Sequence, residues 1–273
     1  MMSGEHILAE LAGFGNDVKS CCANFYENNI IQVLLGNSFH PGGLELTREL
    51  GNKLGLKPSD TILDLGSGLG STALFLAKEF GSNVIGLDLS IKNTKIANDN
   101  ASNQDLAHLC QFKVGDAEKL PFQDKSFDAV ISECSFCIFP EKNVAAAEIF
   151  RVLKKNGRFG VSDVAIEKKL PIDVQQIVFR VACIADALTS EGYLEVFKNA
   201  GFVNLELEDK KEVVYELAGR IKKKIFLAEL AKGLKKIVIS NIDLKKIKYW
   251  LDKAINLVDC GYGTYILVTG VKE

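Results

Sequence analysis

The sequence predicts an α/β fold: a doubly wound, mostly parallel sheet of seven strands, with an N-terminal helical cap and a helical insert before the last strand. Three observations predict it. The run Thr61-Ile-Leu-Asp-Leu-Gly-Ser-Gly-Leu-Gly70 is an apolar strand that breaks into glycines, and Ser71–Phe80 then carries its apolar residues at helical spacing. Val84-Ile-Gly-Leu-Asp88 is a second apolar strand, ending in an acid 18 residues past the last glycine. Beyond it, apolar runs and helical patterns alternate, which calls for right-handed crossovers between parallel strands.

The elements follow in order. Phe25–Leu35 reads as one helix, ended by Gly36-Asn37; His40-Pro-Gly-Gly43 is a turn, and Leu44–Leu54 is a second helix closed by Gly55 and Pro58. Strands are expected near 61–65, 83–88, 110–115, 127–132, 158–163, 202–208 and 262–270. Residues 212–257 form a lysine-rich helical insert. It reads as a solvated amphipathic pair covering one edge of the core, with a lid, a dimer surface or a membrane-surface contact as the sharper readings. The chain thus divides into a cap (1–60), a core (61–211), the insert (212–257) and a last core strand (258–273).

Composition sets limits. At 47 % hydrophobic, the 273 residues can bury a sizeable core. No apolar run is long enough for a transmembrane segment, and Met1–Glu10 lacks the basic and apolar regions of a secretory signal. A net charge of −2 leaves no nucleic-acid footprint overall. Seven cysteines, an odd number without secretory context, read as free thiols in a reducing cytoplasmic setting. Cys110 and Cys260 read as packing residues at strand edges, and His6 and His108 as surface residues. The oligomeric state is open.

The glycine loop carries the chemistry. Gly66, Gly68 and Gly70 permit a tight turn and close approach of a ligand to the backbone. The dinucleotide fingerprint is G-x-G-x-x-G; here the pattern is G-x-G-x-G, Ser71 takes the place of the last fingerprint glycine, and Asp64 would repel a pyrophosphate. A carboxylate there suits a ligand with a cationic end, and Asp88 stands where an acid accepts from ribose hydroxyls. With Val114-Gly-Asp-Ala-Glu-Lys-Leu-Pro-Phe122, Phe127-Asp-Ala-Val-Ile-Ser-Glu133 and Phe150-Arg-Val-Leu-Lys-Lys-Asn-Gly157, these residues resemble the class I S-adenosylmethionine-dependent methyltransferases, and the likeness implies a helix end at 150–157 after the fourth strand. The resemblance implies S-adenosylmethionine as cofactor and S-adenosylhomocysteine as product. It implies that Asp64, Gly66, Ser67, Gly68 and Gly70 shape the methionine end. Asp88 would bind ribose, Leu89 would lie against adenine, Asp116 and Ala117 would border it, and Glu133 would sit beside the cofactor.

The acceptor side is marked by Ser132-Glu-Cys-Ser-Phe-Cys-Ile-Phe-Pro140, without the Asn/Asp-Pro-Pro-Tyr of enzymes that methylate amide or base nitrogens. Cys21-Cys22 lies in the cap, Cys134 after the fourth strand, and Cys183 in Arg180-Val-Ala-Cys-Ile-Ala-Asp-Ala-Leu188. This arrangement resembles the arsenite methyltransferases, within the type 11 methyltransferase group. That likeness implies that Cys134 and Cys183, with Cys21 or Cys22, supply thiolates to trivalent arsenic, a soft centre suited to soft ligands. Glu133 and Asp186 stand where that family has asparagine and glycine, and Cys137 is additional. Three readings stay open: methylation of arsenic; carbon- or oxygen-methylation of an organic small molecule, with Glu133 or His40 as the base; and non-catalytic binding of S-adenosylmethionine. Cys134 and Cys137 could also form a redox pair, or the cysteines could simply pack as small hydrophobes. No resident metal is expected.

Overall fold

The computed structural model describes residues 40–171, 187–233 and 244–273. Among them, helix α1 (Gly43–Lys53) precedes strand β1 (Thr61–Leu65) and helix α2 (Ser71–Phe80). Then come β2 (Asn83–Asp88), α3 (Ile91–Asn103), β3 (Cys110–Val114) and β4 (Phe127–Glu133). A 3-10 turn at Phe136–Ile138 leads to α4 (Lys142–Val152) and β5 (Leu153–Ile166). Next are α5 (Ser190–Asn199), β6 (Val203–Asp209), α6 (Glu212–Gly233), α7 (Leu244–Asp259) and β7 (Gly263–Val271). The expected helix at 25–35 lies outside the described residues.

The seven strands form one sheet in the order β3-β2-β1-β4-β5-β7-β6. Strands β1 to β5 pair in parallel, and β7 runs antiparallel between β5 and β6. Chain order reverses between β1 and β4, so a crevice opens beyond their carboxyl ends, where such sheets bind ligands. The central strands are buried on both faces, which is why Ile62, Leu63, Leu65, Ala129, Val130 and Ile131 read as continuous apolar runs.

Local chemistry sets the ends of the helices. Ser90 accepts from the Asn93 N–H at 3.0 Å and starts α3, Thr189 accepts from the Gly192 N–H at 3.0 Å and starts α5, and Gly81, at φ 70°, ends α2. The segment 150–157 holds the helix end expected there: α4 stops at Val152 and β5 starts at once. Lys272, from the far end of the chain, donates to the carbonyls of Phe150 (2.5 Å) and Leu153 (2.7 Å), so a cation caps the helix terminus. Cys110 is buried as expected; Cys260 is exposed, because it follows α7 rather than lying in a strand. His108 is exposed.

Two apolar clusters flank the sheet. On one side Phe159 stacks on Phe197 (centroids 4.1 Å apart), and Phe136 meets Phe197 at 5.0 Å. Those contacts pin the turn after β4 against β5 and α5, which fixes one wall of the crevice. No helix among the described residues is long and apolar enough to cross a membrane.

Candidate active site

The crevice is a cavity at the carboxyl ends of β1, β2 and β4, with lining from the glycine loop, the start of α2 and the turn after β4. Its first wall is the loop itself. The N–H groups of Gly66 and Ser67 donate to the Leu87 carbonyl at 2.8 and 3.1 Å, and the Gly68 N–H donates to Asp88 Oδ2 at 2.8 Å. Asp88 Oδ1 accepts from the Ser90 N–H at 2.8 Å. The same carboxylate thus ties the loop to β2 and faces the cavity. Gly70, at φ 85°, does not line the cavity; a Cβ there would lie 2.6 Å from the Phe112 ring, so its place is in packing beneath the loop.

Asp64 is 1 % exposed at the end of β1. It accepts from the Ala73 backbone N–H in the first turn of α2, and its Oδ2 has no partner. Burial, then the charges of Glu133 and Asp88, push its carboxyl well above the usual range. Ser67 Oγ and Asn93 Oδ1, both from cavity-lining residues, are also buried without a partner. Leu89, Asp116 and Ala117 line the opposite wall, with Gly115 between β3 and the turn.

The acceptor end is built around Glu133, at the end of β4. Its Oε2 accepts from Thr47 Oγ1 at 2.8 Å and Thr72 Oγ1 at 2.7 Å, and His40 Nε2 lies 3.4 Å away. Its Oε1 meets Ser162 Oγ at 3.4 Å. The other His40 nitrogen faces the Pro41 carbonyl at 3.1 Å. One buried carboxylate therefore joins α1, α2, β4 and β5.

Cys134 lines the cavity next to Glu133. Its backbone is left-handed (φ 53°), a sparsely populated conformation for a residue with a Cβ, and its N–H is held by the Ser162 carbonyl at 2.7 Å. Burial, then the charges of Asp163 and Glu133, push its thiol above the usual value, and the nearby Tyr265 hydroxyl opposes that rise. Cys137 is turned away from the cavity and buried beside Asp163. Asp163 accepts from the Cys137 N–H and its own neighbour Val164 N–H, both at 2.8 Å, and burial pushes its carboxyl up to about 6. It braces the turn from behind.

The structure thus brings Asp64, Gly66, Ser67, Gly68, Asp88, Leu89, Asp116, Ala117, Glu133 and Cys134 to one cavity. Cys21, Cys22 and Cys183 lie outside the described residues. Thr47, Thr72, Asn93 and Ser135 are additions that sequence reasoning missed. Thr72 alone left a signal, a polar residue on the buried side of an apolar helix. Among the described residues no lysine or arginine lines the cavity, whereas four carboxylates do. No cluster of three or more His, Cys, Asp or Glu residues suited to a metal ion occurs among them.

The family described as Methyltransferase domain matches residues 63–161, the loop, β2 to β4 and most of β5. The arsenite methyltransferase of Halobacterium salinarum is 34 % identical over 160 residues, 58 % of this chain and 41 % of that protein. An uncharacterized protein of Haemophilus influenzae is 32 % identical over 185 residues, 66 % of this chain and 72 % of that protein. Among solved structures, phosphoethanolamine N-methyltransferase 2 of Haemonchus contortus, in complex with S-adenosyl-L-methionine, has a TM-score of 0.82 at 20 % identity. That match covers 94 % of this chain and 60 % of that one, and it bears on the fold alone. The chain spans less than half of the Halobacterium protein. Residues 63–161, which carry the glycine loop and most of the cavity wall, are a methyltransferase domain.

Proposed function

We propose that this protein transfers the methyl group of S-adenosylmethionine to a small-molecule acceptor, and that the acceptor is trivalent arsenic held by Cys134. The unpaired, buried Oδ2 of Asp64 supports the cofactor. A carboxyl pushed toward its neutral form by burial and then by neighbouring acids is relieved by a ligand that brings positive charge, and this ligand carries an ammonium and a sulfonium. Asp64 would act on that end as a charge behind the Gly66–Gly68 loop, in a setting of low dielectric. Asp88 would accept from ribose hydroxyls, since a carboxylate has room for more than two donors. Leu89 and Ala117 would cover the adenine faces, and Asp116 would accept from its amine. Bound S-adenosylmethionine supplies an electrophilic methyl on a sulfonium sulfur.

The single observation that carries the acceptor reading is the position of Cys134, a thiol at the end of β4 lining the cavity beside the acidic end. Its thiol holds its proton in the free protein and would release it on coordinating arsenic, as thiol ligands do. Thiolate coordination leaves the arsenic lone pair as the nucleophile, so no general base is needed. The residues contribute alignment and exclusion of water. Cys183 and Cys21 or Cys22 would complete the thiolate set. The likeness to the Halobacterium arsenite methyltransferase supports the same reading. The lack of lysine and arginine in the described lining weighs against phosphate-bearing acceptors.

A second reading rests on the His40–Glu133 contact of 3.4 Å. An organic acceptor with a hydroxyl or amine could lose its proton to that pair. Turnover with arsenite, S-adenosylmethionine and a thiol reductant, read by mass spectrometry, separates the two. Cys134→Ser is expected to lower methylarsenical formation on the order of a hundredfold or more while cofactor binding survives, an effect of the size seen when one group of a reacting site is removed. Glu133→Gln is expected to keep most of that activity. Arsenite turnover that persists in Cys134→Ser, or an organic acceptor whose turnover requires Glu133, would turn the assignment to the second reading.

A further inference from the structure

Charge is distributed unevenly along this chain. Residues 212–259 hold eleven Lys and Arg against six Asp and Glu, a formal charge of +5, while the rest of the chain carries −7. This segment contributes α6 and α7, which pack on each other and against β7.

Helix α6 has two apolar faces where a solvated helix needs one. Val213, Ala218, Ile221 and Ile225 are buried toward the core. On the other side Phe226 and Leu227 are 62 % and 52 % exposed, close to Lys223 on the helix surface. Helix α7 adds Tyr249, 55 % exposed, with Lys253 over its ring at 6.0 Å. Where the two helices meet, Lys222, Lys223, Lys248, Phe226, Ile225 and one acid, Glu229, line a shallow groove, and Lys222 pairs with Asp252 at 2.5 Å. Exposed apolar side chains ringed by cations make the pattern of a surface that dips into the headgroup boundary of a bilayer. No helix among the described residues is long and apolar enough to cross a membrane.

We infer that the outward face of α6 and α7 docks on an anionic phospholipid bilayer surface. The lysines supply charge complementarity to the lipid headgroups, and Phe226, Leu227 and Tyr249 supply apolar anchors. A single-stranded nucleic acid would use the lysines and could stack on Phe226 and Tyr249 but would leave the aliphatic Leu227 without a partner, so the bilayer is the occupant that uses the whole face. The inference stands apart from the identity of the methyl acceptor.

Co-sedimentation of the full chain with vesicles of phosphatidylcholine, alone or mixed with phosphatidylserine, tests it. The protein is expected to pellet with the mixed vesicles at low ionic strength, to leave them at about 0.5 M salt where the Debye length is short, and to ignore neutral vesicles. Lys223→Gln with Lys248→Gln is expected to weaken binding on the order of tenfold, and Phe226→Ser with Leu227→Ser to weaken it roughly tenfold as well. Both pairs are exposed, so the variants keep the parent's melting temperature. No pelleting with phosphatidylserine at low salt overturns the inference. So does pelleting that neither variant changes, or tighter binding to single-stranded RNA than to the mixed vesicles.

Discussion

Asp64→Asn is expected to stabilise the free protein and to weaken S-adenosylmethionine binding ten- to a hundredfold, the range of one lost charge-assisted contact in a buried site. The side chain is 1 % exposed, one oxygen is unpaired, and Glu133 and Asp88 add negative charge nearby. Asparagine keeps an oxygen for the Ala73 N–H and removes the buried charge. It also presents donors toward a cationic ligand, which is why binding falls while the fold gains. The pH dependence carries a matching sign. A carboxyl raised in the folded state binds its proton more tightly there than in the unfolded chain, so its contribution to stability is present at low pH and is lost as pH rises through the raised value. Asp163, pushed up to about 6, acts in the same direction. Asp128, Glu148 and Glu208, held low by their cations, act with the opposite sign, so the test is the difference: in denaturant melts from about pH 4 to pH 8, the stability of Asp64→Asn relative to the parent should rise with pH. Calorimetric titration of both proteins measures the loss of affinity. A variant that binds as well as the parent would show that the Asp64 charge does not act on the ligand.

Gly66→Ala should cost about 3 kcal/mol or more of folding stability, combining left-handed strain with overpacking. Gly66 sits at φ 70°, and a Cβ there would lie 2.5 Å from Ser135 Cβ. Ser135 has nowhere to go: its Oγ is held by the Leu65 carbonyl at 2.8 Å and by Ser132 Oγ at 2.6 Å. The loop would have to give up its bonds to Leu87, and with them the wall of the cavity. Gly55→Ala is the control, since Gly55 also has positive φ (58°) but nothing lies within 4 Å of its added Cβ. It should cost only about 1 kcal/mol, the conformational part. Melts of both variants check the difference, and equal costs would mean that the contact with Ser135 is yielding.

The core was legible because parallel strands buried on both faces appear as plain apolar runs, and because glycines with positive φ have few substitutes. Asp64, Gly66, Gly68 and Asp88 could be placed from spacing alone. The acceptor end was not legible to the same degree. Glu133 meets Thr47 across 86 residues of chain and Thr72 across 61, and such contacts are set by packing that no local pattern records. The same holds for Lys272, which ends α4 from 122 residues away, and for Tyr265, which reaches Cys134 from β7. Asn93 was hidden by its place in the first turn of α3, where a polar residue is ordinary. Cys134 was found from its neighbours in the sequence, and its left-handed backbone, held by Ser162, was visible only in three dimensions.

The most direct measurement is a crystal structure of the protein grown with S-adenosylhomocysteine and arsenite under reducing conditions. The expected result is the nucleoside at Asp88, Leu89 and Ala117, the amino-acid end toward Asp64, and arsenic bonded to Cys134 Sγ on the side from which the methyl is transferred. A nucleoside bound elsewhere, or a filled nucleoside site with Cys134 bare and arsenic absent, would contradict the account.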